Sequence, residues 1–293
     1  MPPDLQLNLL GIPEVYIDKL PVAFETNKSQ ALLFYLALNP GWHSRDLLAE
    51  LLWPDMTTSR ARKNLRDGLT QLRVIVSPWL VTDTQRVEFV SHLPYNLDIQ
   101  HWQEGLTEGQ TTLNLALVEQ AIKLYRGDFL MGFHVRKAHP FEEWVLQKRE
   151  ELHIQFINGL EWLTQQYFAK QDYQASLSVN RQLLKAEPWR ESAHQLQMRL
   201  LALLGLQNEA LMQYKNCQRI LVDELDVEPA PETVALYEQI RTGKFAPPAA
   251  ESPTITPAEK PGQPVPKQDQ GLTPFLNLPR QMTPLIGREM ETS

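Results

Sequence analysis

Cysteine is almost absent: Cys217 stands alone in 293 residues. A lone thiol excludes an intramolecular disulfide and any Cys-rich metal site. No apolar run approaches the ~18 residues that a membrane-spanning helix requires. The start, MPPDLQLNLL, has no basic stretch ahead of an apolar core and does not read as a secretion signal. Together these absences point to the cytoplasm and away from membranes. Catalytic signatures are missing too. The seven histidines form no HExxH, and His134 and His139 fall in a loop. Glu142-Glu143 and Glu150-Glu151 are adjacent on a helix, so each pair diverges by about 100° and does not converge as a catalytic dyad would. No G-x-S-x-G elbow and no G-x-x-x-x-G-K-[ST] phosphate cradle occurs. Cys217 lies on an apolar-periodic helix, where a thiol packs as a core residue. The expectation is no catalytic residue, no metal, no cofactor and no enzyme activity in this chain.

What the chain does contain is an uneven distribution of charge. The formal net charge is -7. Yet the stretch TTSRARKNLRDGLTQLR, Thr57 to Arg73, carries Arg60, Arg62, Lys63, Arg66 and Arg73 against the single acid Asp67. Generic coating of nucleic acid by such an acidic chain is unfavourable, whereas a local basic stripe can still steer a polyanion.

Composition divides the chain into three parts, at residues 1–100, 101–243 and 244–293. The last holds 10 of the 22 prolines and reads as an extended, flexible linker. In residues 1–100, LQLNLLG and EVYID read as short strands around a Gly11–Pro13 turn, with PVAF as a third. NKSQALLFYLALNPG reads as a helix capped by Asn27, with Gln30 three residues on. SRDLLAELLWP is a second helix, capped by Ser44 and stopped before Pro54. The basic stretch is the third, and WLVTDTQRVEFV is a hairpin turning near Thr84-Gln85. Strands, three helices and a hairpin follow the order of a winged helix, with Thr82, Thr84 and Arg86 on the wing.

Residues 101–243 read as almost wholly helical and repetitive. FEEWVLQKREELHIQFINGLEWLTQQYF is a long amphipathic helix with Trp144, Leu152, Phe156, Leu160, Leu163 and Tyr167 near one stripe. Downstream, Phe168 aligns with Leu203 and Ala175 with Ala210, an offset of 35 residues. A period near 34 marks tetratricopeptide-type (TPR-like) helical hairpins. Pro188 and Pro229 each end a second helix of a pair. The fold class is therefore mainly α with a small α+β part.

The basic helix has a definite geometry. With Leu65 at zero and about 100° per residue, Ala61, Leu69 and Leu72 fall within about 40° and form the buried stripe. Arg62, Arg73 and Arg66 follow at roughly 60° to 100°, and Ser59, Thr70 and Lys63 at roughly 120° to 160°. Asp67 and Arg60 lie at roughly 200° to 220°. A continuous basic and hydroxyl face about 25 Å long suits the major groove. A solvated face is the bland alternative.

ALLFYLALNPGWHSRDLLAELLWPDMTTSRARKNLRDGLTQLR resembles the OmpR-type winged helix of the antibiotic regulatory protein (SARP) family of bacterial transcriptional activators. YRGDFLMGF, FEEWVLQKREEL and the segment from Asp172 to Thr233 resemble that family's bacterial transcriptional activator domain. The resemblance covers about residues 5–243, and two adjacent modules match in order. It implies that the third helix is the recognition helix, with Arg60, Arg62, Lys63, Arg66, Thr70, Arg73 and neighbouring Ser59 as DNA contacts. Arg45, at the start of the second helix, and Thr82 and Arg86 on the wing would join them. The loop Pro54, Asp55, Met56 and Thr57 corresponds to the segment that can touch RNA polymerase in OmpR-type domains. Trp53 beside it reads equally well as a buried anchor. Gly68 departs from a good helix sequence and costs up to ~1 kcal/mol against Ala unless a close helix crossing requires it. NLPRQMTPLIGREMETS resembles the segment leading into STAND and NB-ARC signal-transduction ATPases, which implies that the chain is the N-terminal part of a longer regulator.

The expected function is a sequence-specific DNA-binding transcriptional regulator acting on promoter repeats. The expected partners are double-stranded DNA and RNA polymerase, with a homodimer through the helical region left open. The rival reading is a protein-interaction scaffold that uses the helical repeats and binds no DNA.

Overall fold

The structure, a computed structural model, describes residues 3–90 and 93–245. The Pro-rich segment from residue 246 on, with its ATPase-like end, lies outside the described residues.

The chain opens with β1 (Leu5–Asn8) and β2 (Glu14–Ile17), antiparallel around a turn where Gly11 takes φ +100°, a value only glycine adopts without strain. The third strand is shorter than PVAF implies: β3 is Leu20–Pro21, with one further bond to β2 from the Val22 N–H to the Val15 carbonyl at 2.9 Å. Helix α1 (Asn27–Leu38) is capped by Thr26, whose hydroxyl accepts from the Ser29 N–H at 3.1 Å, and not by Asn27. The Asn27 amide instead donates to the His134 carbonyl at 2.9 Å, across to the later helical part. Helix α2 (Arg45–Leu52) is capped by Ser44, as its sequence implies. Helix α3 (Thr58–Val76) runs three residues beyond Arg73, with Ala61, Leu65, Leu69 and Leu72 buried.

Two pairings carry no sequence signal. The two-residue strand β4 (His43–Ser44) adds to the hairpin of β5 (Leu80–Thr82) and β6 (Arg86–Phe89), giving the order β4-β6-β5. Strand β7 (Tyr95–Leu97) returns parallel to β1, giving the order β3-β2-β1-β7. The arrangement is a winged helix, with the β5–β6 hairpin as its wing.

Helix α4 (Asp98–Thr111) starts directly from β7, so residue 100 lies within it. Helices α5 (Leu115–Leu124), α6 (His139–Ala169), α7 (Tyr173–Ala186), α8 (Glu191–Leu203), α9 (Gln207–Leu225) and α10 (Pro231–Arg241) follow. From α6 onward, connections of three to five residues make successive helices antiparallel neighbours. The 35-residue offset places Ala175 on α7 and Ala210 on α9. Ala210 is fully buried and Ala175 half-buried beside a groove.

The described residues fall within one compact unit. One continuous apolar core runs from Leu5 through Trp79 and Trp102 to Ala193, and a second, smaller one gathers Leu177, Met198, Leu201, Ala210 and Leu236. The join is riveted by polar groups as well. The Asp98 carboxylate accepts from the Leu9, Leu10 and Ile99 N–H groups at 2.8–2.9 Å and meets Arg126 at 3.3 Å. Arg149 on α6 donates to the Phe129 and Leu130 carbonyls, both at 2.7 Å. Among the described residues no helix is long and apolar enough to cross a membrane.

Candidate nucleic-acid interface

The buried stripe of α3 leaves its other faces free. Ser59, Arg60, Arg62, Lys63, Arg66, Thr70 and Arg73 are all exposed, as the helical geometry predicts. They are not equivalent. The side chains of Arg60, Lys63, Arg66 and Arg73 make no hydrogen bond or ion pair among the described residues. The Thr70 hydroxyl donates to the Arg66 carbonyl at 2.9 Å, a bond within the helix that a phosphate contact would have to replace.

Arg62 is held by a partner that sequence reading missed. Its Nε and Nη2 donate to the two carboxylate oxygens of Asp46 on α2, at 2.6 and 2.7 Å. The Arg62 hydrogen bonds hold the Asp46 carboxyl below its ordinary value. The two residues are sixteen apart on different helices, and only the α2–α3 packing brings them together.

A cleft of about 530 Å³ opens between α2, α3 and the wing, lined by Arg45, Asp46, Arg62, Arg66, Thr84 and Arg86 among others. Four arginines therefore line one concavity. Arg45 braces the wing as well as lining the cleft: its Nη2 donates to the Asp83 carbonyl at 2.8 Å and its N–H to the Gln85 carbonyl at 2.8 Å. Its Nε is buried without a partner. Asp83 closes the wing turn by accepting from the Gln85 and Arg86 N–H groups at 2.7 and 2.6 Å. The Gln85 bond, with Arg86, keeps the Asp83 carboxyl below its ordinary value. Arg86 lies 4.7 Å over the Trp42 ring, a contact that stiffens the side chain while leaving it exposed. Thr82 is only half-exposed and its Oγ1 is buried without a partner, so the structure turns it away from the surface that Arg86 presents.

On the opposite flank, Trp53 is buried, with the Lys28 ammonium 5.1 Å over its ring. Burial pushes Lys28 below its ordinary value. The anchor reading of Trp53 is the one the structure shows. Beyond it, Asp55, Met56 and Thr57 are exposed and Pro54 is half-exposed, with the Met56 N–H bonded to the Trp53 carbonyl at 3.2 Å. Gly68 is buried against Ser29 and Trp53, yet an added Cβ would meet their nearest atoms at 3.7 and 3.8 Å, which is ordinary contact. The helix crossing therefore does not demand glycine.

The residues weighed as catalytic fall elsewhere. Cys217 is fully buried and burial pushes its thiol up to about 12. His134 faces Glu142 at 3.4 Å, and that carboxylate also accepts from the Val135 N–H.

Comparison with known proteins bears on both parts. Residues 98–241 match the family model of the bacterial transcriptional activator domain. Regulatory protein AfsR of Streptomyces coelicolor is 26% identical over 250 residues, covering 80% of this chain and 24% of AfsR. The chain thus spans about a quarter of that relative's length. The structure of Mycobacterium tuberculosis EmbR in complex with low affinity phosphopeptide superposes with a TM-score of 0.62 at 22% identity, covering 82% of this chain and 66% of that one. At that identity the likeness is one of fold. Just under half of the chain thus matches the activator-domain model, and the likeness to AfsR extends beyond that domain.

Proposed function

We propose that this chain is a sequence-specific DNA-binding transcriptional activator that acts in the cytoplasm on promoter repeats. One observation carries the reading: an acidic chain concentrates exposed, mostly uncommitted cations on one face of α3 and joins them to the wing through a cleft lined by Arg45, Arg62, Arg66 and Arg86. Lys63, Arg66 and Arg73 neutralise phosphates, and α3 enters the major groove. Arg86, stiffened by Trp42, follows the backbone beside it. The Pro54–Thr57 loop, exposed beside the anchored Trp53, is the surface for RNA polymerase. The chain performs no catalysis in this role.

The test is fluorescence anisotropy of the chain on promoter duplexes from its own genomic neighbourhood at several salt concentrations. Binding should be sequence-dependent and weaken steeply with salt, with each phosphate contact contributing about 0.9 to the log–log slope. An Arg62→Ala, Arg66→Ala double variant should lose most of the affinity. Equal binding to random duplex, unchanged in that variant, would overturn the reading. The scaffold alternative would then take over. A cleft of about 320 Å³ between α5, α6 and α7, lined by Glu119, Lys123, Ser178 and Gln182, favours it.

A further inference from the structure

The Asp46–Arg62 pair is an anomaly in the cleft that surrounds it. A carboxylate beside Arg45, Arg66 and Arg86 weakens the attraction of that concavity for phosphate. The pair is not a buried structural bridge either, since the two side chains are 55% and 62% exposed. Its geometry suggests what it does. A guanidinium has two forked edges. The side edge, Nε with one Nη2 proton, is spent on the two oxygens of Asp46. The end edge, Nη1 with the second Nη2 proton, has no partner among the described residues. That open edge presents two parallel N–H donors from a group fixed in orientation. A guanine in the major groove presents two acceptors, O6 and N7, matched to such a fork. Arg62 is also the fifth residue of α3, in the N-terminal part of the helix that in helix-turn-helix docking lies closest to base edges. Lys63 and Arg66 beside it have no such buttress, and a mobile cation suits a phosphate.

Resting on the DNA-reading proposed above, we propose that Arg62 reads one guanine of the DNA site and that Asp46 is its positioning residue. The carboxylate holds the fork in its reading orientation before binding, so little rotamer freedom is lost on contact.

The experiment measures anisotropy of the full chain on its preferred duplex and on every single-base-pair variant of it. Wild type is compared with Arg62→Lys and Asp46→Ala, and each guanine is replaced in turn by 7-deazaguanine, which lacks the N7 acceptor. Wild type should favour guanine at one position by roughly 5- to 150-fold. Arg62→Lys keeps the charge and loses the fork, so it should lose that preference and keep the others. Asp46→Ala should flatten the same position in part, and 7-deazaguanine there should weaken wild type but not Arg62→Lys. Thermal melts of both variants should match wild type, since both side chains are exposed. The inference is overturned if Arg62→Lys retains the full profile, or if Asp46→Ala tightens binding to every duplex by one common factor, which would make the carboxylate a plain competitor of phosphate. A wild-type chain with no preference for any duplex would overturn the DNA-reading itself.

Discussion

The α3 face and the α8–α9 layer handle their polar groups in opposite ways. On α3, Arg60, Lys63, Arg66 and Arg73 point outward with their donors uncommitted. Between α7, α8 and α9 the polar side chains turn inward and bond to one another. His194 is 1% exposed; its Nε2 bonds to the Pro188 carbonyl at 2.7 Å and its Nδ1 to Gln213 at 2.6 Å. Gln213 continues to Gln197, and Asn180 bonds to the Ala193 carbonyl and Gln197. Uncommitted exposed donors add little to stability and are available to a charged partner, whereas committed buried donors fix one packing and offer nothing outside. The first region is built to be completed by something else, the second to hold its shape.

The largest test of this division is the Lys63→Ala, Arg66→Ala double variant. It should lose on the order of 100-fold in DNA affinity, with a salt slope shallower by about 1.8, and its melting temperature should stay put. A fall in melting temperature would mean that the α3 cations support the fold. Asn180→Ala should do the reverse. It orphans buried groups and should cost about 2 kcal/mol in urea unfolding, with no direct loss of a DNA contact.

A smaller effect should appear with pH. Burial lowers the His194 pKa, so the folded chain disfavours the imidazolium, which could not accept from Gln213. The associated stability is fully present above the unfolded value of about 6.5 and is lost as pH falls through it toward the depressed folded value. Melting curves between neutral and mildly acidic pH should show that decline, and His194→Gln should flatten it. The smallest effect should be a gain. Gly68→Ala on α3 should stabilise by up to ~1 kcal/mol, because the added methyl makes only ordinary contacts. Gly109 on α4 sharpens the contrast: its Cβ would lie 2.6 Å from the Val118 side chain, so the same change there should destabilise.

Much of this was legible in the residues. The apolar stripe of α3 repeats at helical spacing, so its buried and exposed faces follow from arithmetic, and Ser44 caps α2 where the apolar pattern begins. The pairings that complete the winged helix were not legible. Strands of two or three residues, such as His43–Ser44 and Tyr95–Leu97, are too short to show a period, and their partners are distant in sequence. Thr26 and Asn27 are both capable caps, and local sequence could not choose between them. The Asp46–Arg62 pair depends on how α2 crosses α3, and Thr82 turns inward because of the wing's register, neither of which is a local property.

The seam at Asp98 has a mechanical consequence. Strand β7 passes into α4 without a hinge, and the Asp98 carboxylate grips the end of β1 from the first turn of that helix. With a common apolar interior behind it, the seam leaves no soft joint between the winged helix and α4–α7. The molecule is a lever with its tool head welded on. On the DNA-binding reading, a torque applied at α6 would reach α3 as a change of its pitch on the duplex.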